Sequence, residues 1–190
     1  MRKHGAILER ESDRTENERR SVNRESLISK LPLIIRWIDH TLAEHAAAAR
    51  PIVSFGFKRL PQFYSSALLL KAKVVAVDAV PVPPLRSLGL PEFGAFELGN
   101  YRGITFKDTY FVERHHEDDE SLHFHELVHV AQWARLGAEN FLLAYAEGLA
   151  IYGYRHSPLE AMAYDFQNDF DQNCPPFDME SAICAKLNEI

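Results

Sequence analysis

The segment His125-Glu-Leu-Val-His129 constrains this 190-residue chain more than any other part of the sequence. It lies in a stretch from Leu122 to Leu136 whose apolar residues recur at helical spacing. Histidines four positions apart lie on one face of an α-helix, about 40° from each other, so both imidazole rings can reach one point. Neutral imidazole nitrogens are good ligands for divalent metal ions such as zinc. The segment therefore predicts a helix that holds a metal ion, and the alternative is two surface histidines on an amphipathic helix.

The residues around the motif offer candidates for the rest of a catalytic metal site. Glu126 lies beside the predicted ion rather than on it, where it can accept a proton from metal-bound water. A catalytic zinc also needs a third protein ligand and an open position. Two glutamates are candidates for that ligand: Glu147, which follows His129 by 18 residues, and Glu160, which begins the next predicted helix. Glu160 has another interpretation, because it can close a capping box with Ser157.

The composition narrows the class of protein further. Apolar residues make up 46% of the chain and charged residues 25%, which is typical of a globular domain. The net charge of -6 leaves no basic surplus to displace counterions, so we expect no nucleic-acid partner. No apolar run is long enough to span a bilayer, and the N-terminus lacks the apolar core of a signal peptide, so we expect a cytoplasmic protein without membrane contact. Cys174 and Cys184 are expected to be reduced thiols.

The chain divides into a polar N-terminal segment and one domain. Residues 1–26 are highly charged and almost free of apolar residues, which predicts either a mobile arm or a solvated helix. Residues 27–190 are expected to form a single domain. Its first helix is predicted from Leu27, with Pro32 in the first turn and Pro51 ending it.

The middle of the chain is predicted to be rich in β-structure. This prediction covers residues 52–112 and includes a strand over Lys73–Asp78, where β-branched residues are enriched. Gly103–Val112 is predicted to be a strand or a tight hairpin that turns at Lys107-Asp108.

The rest of the chain is predicted to be helical. Ser121 is the expected N-cap of the motif helix, and Gly137 its C-terminal stop. The helices that follow are expected over Ala138–Tyr154, from Ser157-Pro158 to about Phe170, and after Asp178. Helices that precede and follow a small sheet along the chain indicate an α+β fold.

Two parts of this region resemble known zinc metallopeptidases. His125–His129 with Glu147-Gly-Leu-Ala150 is similar to the gluzincin metallopeptidases, although the spacing here is slightly shorter than theirs. Glu160-Ala-Met-Ala-Tyr-Asp-Phe166 resembles the Glu-x-x-Ala-x-x-Phe segment that carries the third ligand in small bacterial HExxH proteins, which include repressor-cleaving metallopeptidases. The resemblance covers about residues 100–170 and favours Glu160 over Glu147 as the third ligand.

The resemblance implies a zincin-like domain: an N-terminal helix, a small twisted sheet, the motif helix and the helices that follow. It also implies a zinc-dependent metallopeptidase in which one Zn²⁺ ion activates water and Glu126 is the general base. The expected substrate is a peptide or protein, held in extended form along Gly103–Val112. Two other functions are left open, a non-proteolytic zinc-binding regulatory or interaction domain and a zinc hydrolase of a non-peptide amide. The sequence does not indicate an oligomeric state.

A tetrahedral intermediate also needs an electrophilic partner other than the metal. Four side chains near the candidate ligands in sequence are Tyr152, Tyr154, His156 and Tyr164. Tyr154 is the first choice among them for a catalytic role.

Overall fold

The computed structural model describes the backbone of residues 3–189 and the side chains of residues 24–189. The α-helices within these residues are α1 (Lys3–Glu44), α2 (Ser66–Lys71), α3 (Gly94–Glu97), α4 (Glu120–Tyr152), α5 (Pro158–Asp171) and α6 (Met179–Leu187). The strands are β1 (Arg50–Pro51), β2 (Lys73–Val77), β3 (Gly103–Phe106) and β4 (Thr109–Glu113). The fold is therefore α+β, as predicted.

Helix α1 begins well upstream of the predicted helix. Residues 3–26 belong to this helix. Of the two alternatives predicted for the segment, a mobile arm and a helix, the structure shows the helix. The placement of Pro32 in a first turn is wrong for the same reason: the helix extends upstream, and Pro32 lies in its interior, where it contributes no backbone donor. The division between an arm and a domain at residue 26 stays a prediction.

The four strands form one sheet in the order β1-β2-β4-β3. Strand β4 pairs in parallel with β2, Val75 opposite Phe111, and antiparallel with β3, Ile104 opposite Phe111. The predicted strand near Lys73–Asp78 and the predicted hairpin are confirmed. The hairpin turns at Lys107, whose positive φ of 60° is typical of tight turns. This topology leaves β3 at the edge of the sheet.

The prediction that residues 52–112 are rich in β-structure is wrong outside β2, β3 and β4. Helix α2 replaces part of it, because the Ser65 hydroxyl caps the helix by accepting a hydrogen bond from the Leu68 N–H at 3.2 Å. The sequence of α2, Ser-Ala-Leu-Leu-Leu-Lys, consists largely of strong helix formers. Much of the remainder consists of α3 and of 3₁₀ turns over Ile52–Phe55, Leu60–Gln62 and Pro91–Phe93.

The sheet separates two apolar clusters, because side chains alternate between its faces. Val74 and Tyr110 face a first cluster, in which α4, α5 and α6 supply Leu127, Phe170 and Ile183 among others. Val75 and Phe111 face a second cluster, to which α1 contributes Ile34 and Ile38 and α4 contributes Trp133 and Phe141. Helix α4 therefore contributes to both cores and crosses the domain interior.

Helix α4 contains both of the helices predicted around Gly137. Gly137 has φ 73° and ψ 168°, so it interrupts the helix as a kink rather than ending it in a loop. The expected N-cap Ser121 is wrong: the Asp119 carboxylate accepts hydrogen bonds from the N–H groups of Ser121 and Leu122 at 3.1 and 3.2 Å. The helix consequently starts earlier, at Glu120. The predicted starts of α5 and α6 are confirmed.

Candidate metal site

His125 and His129 extend from the same face of α4 and meet in the interior of the domain. Their Nε2 atoms are 3.2 Å apart, and both side chains are buried. Two nitrogens that each lie 2.0–2.1 Å from a tetrahedral ion are about 3.3 Å apart. The spacing of the two rings therefore fits joint coordination of one metal ion.

Glu160, from the first turn of α5, completes the cluster. Its Oε2 lies 3.5 Å from His125 Nε2 and its Oε1 lies 3.4 Å from His129 Nε2, and the side chain is 3% exposed. One ligand atom from each of the three residues lies within 4.8 Å of the others. Ser157 is the N-cap residue of α5, but its side chain makes no capping hydrogen bond, so the capping-box interpretation of Glu160 is wrong.

The other candidate ligand, Glu147, lies outside this cluster. Its carboxylate pairs with the Arg24 guanidinium at 3.0 Å, and its side chain is 42% exposed. Gly148, the next residue, explains how α5 approaches α4: a Cβ there would lie 2.9 Å from Pro158 Cδ and 3.0 Å from Ser157 Cβ. This close contact places the start of α5, and with it Glu160, against the histidines.

Two glutamines fix the orientation of the imidazole rings. Gln132 donates its amide N–H to the Leu159 carbonyl at 3.0 Å, so its Oε1 faces His129 Nδ1 at 2.8 Å. Gln167 donates to the Ser121 hydroxyl at 2.9 Å, and its Oε1 faces His125 Nδ1 at 3.1 Å. The Nδ1 atoms are therefore the donors, and the Nε2 atoms direct lone pairs towards each other.

This arrangement brings three electron-rich groups together away from water. The Nε2 lone pairs of His125 and His129 meet a carboxylate, and Glu160 Oε2 has no hydrogen-bond partner although it is buried. Buried polar atoms rarely lack a partner, and a bound ion is one explanation when they do. Two nitrogens and one carboxylate match the donor set of a divalent cation. The residues present therefore fit a metal ion.

The protonation of the cluster depends on the same contacts. Burial alone would lower the pKa of His129, but the carboxylates of Glu160 and Glu126, and the hydrogen bonds that the imidazole donates to Glu160 and Gln132, raise it to about 9. Burial alone would raise the pKa of Glu160, but His129 and His125 hold it well below its usual range. Without metal, a proton on His129 therefore takes the place of the cation.

We expect metal binding to release close to one proton per chain at pH 7.5, because the ion must displace this proton. The affinity should rise about tenfold per pH unit up to pH about 9. The same proton stabilises the metal-free fold fully below pH about 6.5, and that stabilisation is lost as the pH rises through 9. Titration calorimetry with Co²⁺ in buffers of different ionisation enthalpy measures the release. An affinity independent of pH between 6.5 and 8.5 would contradict the prediction.

Glu126 lies beside the cluster without being part of it. The Thr105 hydroxyl of β3 donates a hydrogen bond to Glu126 Oε2 at 2.6 Å. A Cβ on Gly103 would lie 2.3 Å from Glu126 Oε1, so the carboxylate rests against bare backbone of the same strand. Burial raises the pKa of Glu126, although both imidazoles and the Thr105 hydroxyl act against this rise. A carboxylate in this state is a good proton acceptor.

Tyrosines form the remaining wall around the cluster. Tyr145 donates its phenol to Glu160 Oε1 at 2.6 Å, and the Tyr164 ring lies 4.6 Å from the His125 ring. Tyr154 packs against Tyr101, with 5.0 Å between ring centroids, and lines the same cavity as Glu126 and Glu160. Burial, and then the Glu160 carboxylate, raise the pKa of Tyr154, so its phenol keeps its proton. Tyr152 and His156, the other two side chains considered, are exposed.

His123, two residues before the motif, is a structural residue. The Tyr110 hydroxyl is 2.8 Å from its Nδ1, the Glu117 carbonyl accepts from its Nε2 at 2.8 Å, and its ring packs on Phe55 and Phe57. Both ring nitrogens are satisfied. His123 therefore lies outside the cluster of candidate metal ligands.

Sequence reasoning missed four residues that support the site. Gln132 follows His129 by three positions and Gln167 follows Glu160 by seven. These spacings place each glutamine on the same helical face as a candidate ligand, so both could have been predicted from the sequence. Thr105 comes from the edge strand, and Tyr145 from beyond the kink of α4. Tertiary packing alone brings these two to the site.

Comparisons with protein-family models, with curated proteins and with solved structures find no match to this chain. The structure establishes an α+β fold with a buried cluster of two imidazoles and one carboxylate that can bind a metal ion. Within residues 3–189, no helix is both long enough and apolar enough to cross a membrane. The geometry of the cluster is therefore the basis for assigning a function.

Proposed function

We propose that this protein is a zinc-dependent metallopeptidase with a zincin-like fold. The observation that carries the proposal is a set of two histidines and one glutamate with a separate carboxylate, Glu126, held beside it. Catalytic zinc sites have three protein ligands and an open position, whereas structural zinc sites are closed by four. Among the side chains of residues 24–189, three such ligands come together here.

The chemistry expected of the site divides between the ion and the chain. Zinc held by His125, His129 and Glu160 would polarise the scissile carbonyl and lower the pKa of a bound water. Glu126 accepts the proton of the attacking water and passes it to the leaving amine. The Thr105 hydrogen bond keeps the Glu126 carboxylate in one orientation. The Tyr154 phenol donates a hydrogen bond to the negative oxygen of the intermediate.

Strand β3 supports a peptide as the substrate. The Glu113 N–H donates to the Arg102 carbonyl at 2.8 Å, so by the alternation of an antiparallel pair the N–H and C=O of Gly103 point away from β4. The Glu126 carboxylate also lies against the backbone of Gly103. An extended peptide that pairs with this edge would have its backbone beside the general base.

Metal content and chelation test this proposal. We expect about one zinc per chain by elemental analysis of gently purified protein. Mass spectrometry of a peptide library should show cleavage by the zinc-loaded protein and none after chelation, with recovery on adding zinc. Protein without metal would count against every zinc-dependent function. Zinc without cleavage would favour the non-proteolytic zinc-binding domain, and cleavage of non-peptide amides alone would favour the other hydrolase.

A further inference from the structure

The second apolar cluster encloses a cavity that reaches the metal ligands. Its volume is about 90 Å³, and it lies between α1, β3 and the C-terminal half of α4. One end is formed by Glu126, His129 and Glu160. The rest is lined mostly by apolar side chains, among them Ile34, Ile38, Leu90, Phe93, Phe141 and Leu149.

We propose that this cavity binds a branched aliphatic side chain of the substrate, at a residue next to the cleaved bond. This inference rests on the proposed function and names the class of substrate. Unfilled space in a protein core weakens packing, so a cavity that opens on reactive groups is better explained by a ligand than by a packing defect.

Hydrogen-bond donors in the wall of the cavity already have partners within the protein, which favours an apolar ligand side chain. The Trp133 indole donates to the Thr105 carbonyl at 3.2 Å, and the Tyr101 hydroxyl donates to the Phe96 carbonyl at 3.0 Å. The Tyr145 hydroxyl is engaged by Glu160. These donors already have partners inside the protein, so a polar side chain in the cavity would lose its hydrogen bonds to water without replacement.

The size of the cavity distinguishes aliphatic from aromatic side chains. An apolar protein cavity of about 150 Å³ holds a benzene molecule. The cavity here, at about 90 Å³, is smaller, and many of the side chains that line it belong to the buried core. It therefore suits a side chain of the size of valine, leucine or isoleucine.

The position of the cavity sets which substrate residue enters it. Gly103 of the edge strand and Glu126 both line it. A peptide paired with β3 therefore has a side chain at the mouth of the cavity while its backbone lies at the general base. That side chain belongs to a residue that flanks the reacting carbonyl.

Three hydroxamic acids test this pocket on the zinc-loaded protein, since all share one metal-binding group and differ only in the attached chain. We expect 3-methylbutanohydroxamic acid to bind about tenfold or more tightly than acetohydroxamic acid, because its extra carbons are buried. Phenylacetohydroxamic acid should bind with nearly the same affinity as acetohydroxamic acid, because its ring is too large for the cavity. Titration calorimetry gives the three dissociation constants.

A matched pair of variants tests whether the higher affinity for the branched acid arises in the cavity. Ala146→Leu fills the cavity and should remove the gain of the branched chain, while zinc content and acetohydroxamate affinity stay unchanged. Ala150→Leu makes the same change at an exposed position one turn further along the helix and should leave the gain intact. Equal affinities for all three acids on unmodified zinc-loaded protein would overturn the pocket and leave the metal site standing. A chain that binds no zinc would overturn the proposed function itself.

Discussion

Replacing Glu160 with glutamine should lower zinc affinity by more than about 100-fold, because the variant loses a charged ligand. A neutral amide oxygen donates poorly to zinc, and the pair of buried imidazoles would lose its only close anionic partner among the ligands. Loss of a residue that merely supports a ligand typically costs about 10–100-fold. Competition with a chromogenic chelator measures the affinity, and circular dichroism checks that the fold is retained.

Glu147→Gln is the matched control, since it makes the same chemical change on the competing candidate. It removes only a partly exposed ion pair with Arg24, which contributes at most about 1 kcal/mol to stability. Zinc affinity should therefore be unaltered. Equal losses in the two variants would contradict the assignment of Glu160 as the third ligand.

Glu126→Gln should leave zinc bound and reduce peptide hydrolysis by about 10²–10⁴-fold. The amide is the same size as the carboxylate and can still accept the Thr105 hydrogen bond, but it cannot take up a proton from water. Turnover of a peptide found in the library screen measures the loss, and elemental analysis confirms that the zinc is retained.

Glu139→Gln provides the control for Glu126, because Glu139 is an exposed glutamate on the same helix. Its rate should match that of the unmodified protein. If Glu126→Gln hydrolysed the peptide at the unmodified rate, Glu126 would not be the general base. If it lost its zinc, the role of Glu126 would be structural.

The two histidines of the candidate metal site could be predicted from the sequence because their placement depends on local geometry. The four-residue spacing of His125 and His129 fixes them on one helical face in any fold that keeps the helix. The choice between Glu147 and Glu160 depended on how the helices pack, and intrinsic residue chemistry does not decide it. The resemblance favoured Glu160, and the structure brings that residue to the histidines.

The sequence was less informative where distant parts of the chain decide the structure. Residues 1–26 contain few apolar residues, so their composition alone left a mobile arm and a solvated helix open. In residues 52–112, turn-forming and β-branched residues predicted strands, but Ser65 capped a helix instead. The supporting contacts of Thr105 and Tyr145 connect residues 15 to 21 positions apart and have no local signature.

The missing side chain at Gly148 has a consequence for how this chain can vary. The residue touches neither imidazole, yet α5 rests on its bare backbone through Pro158 and Ser157. Even a methyl group there would push the first turn of α5 outwards and draw the Glu160 carboxylate away from the two rings. We therefore expect the separation of α4 and α5 to set how well the cluster can bind an ion, so that substitutions at positions 148 and 158 are tolerated only in compensating pairs.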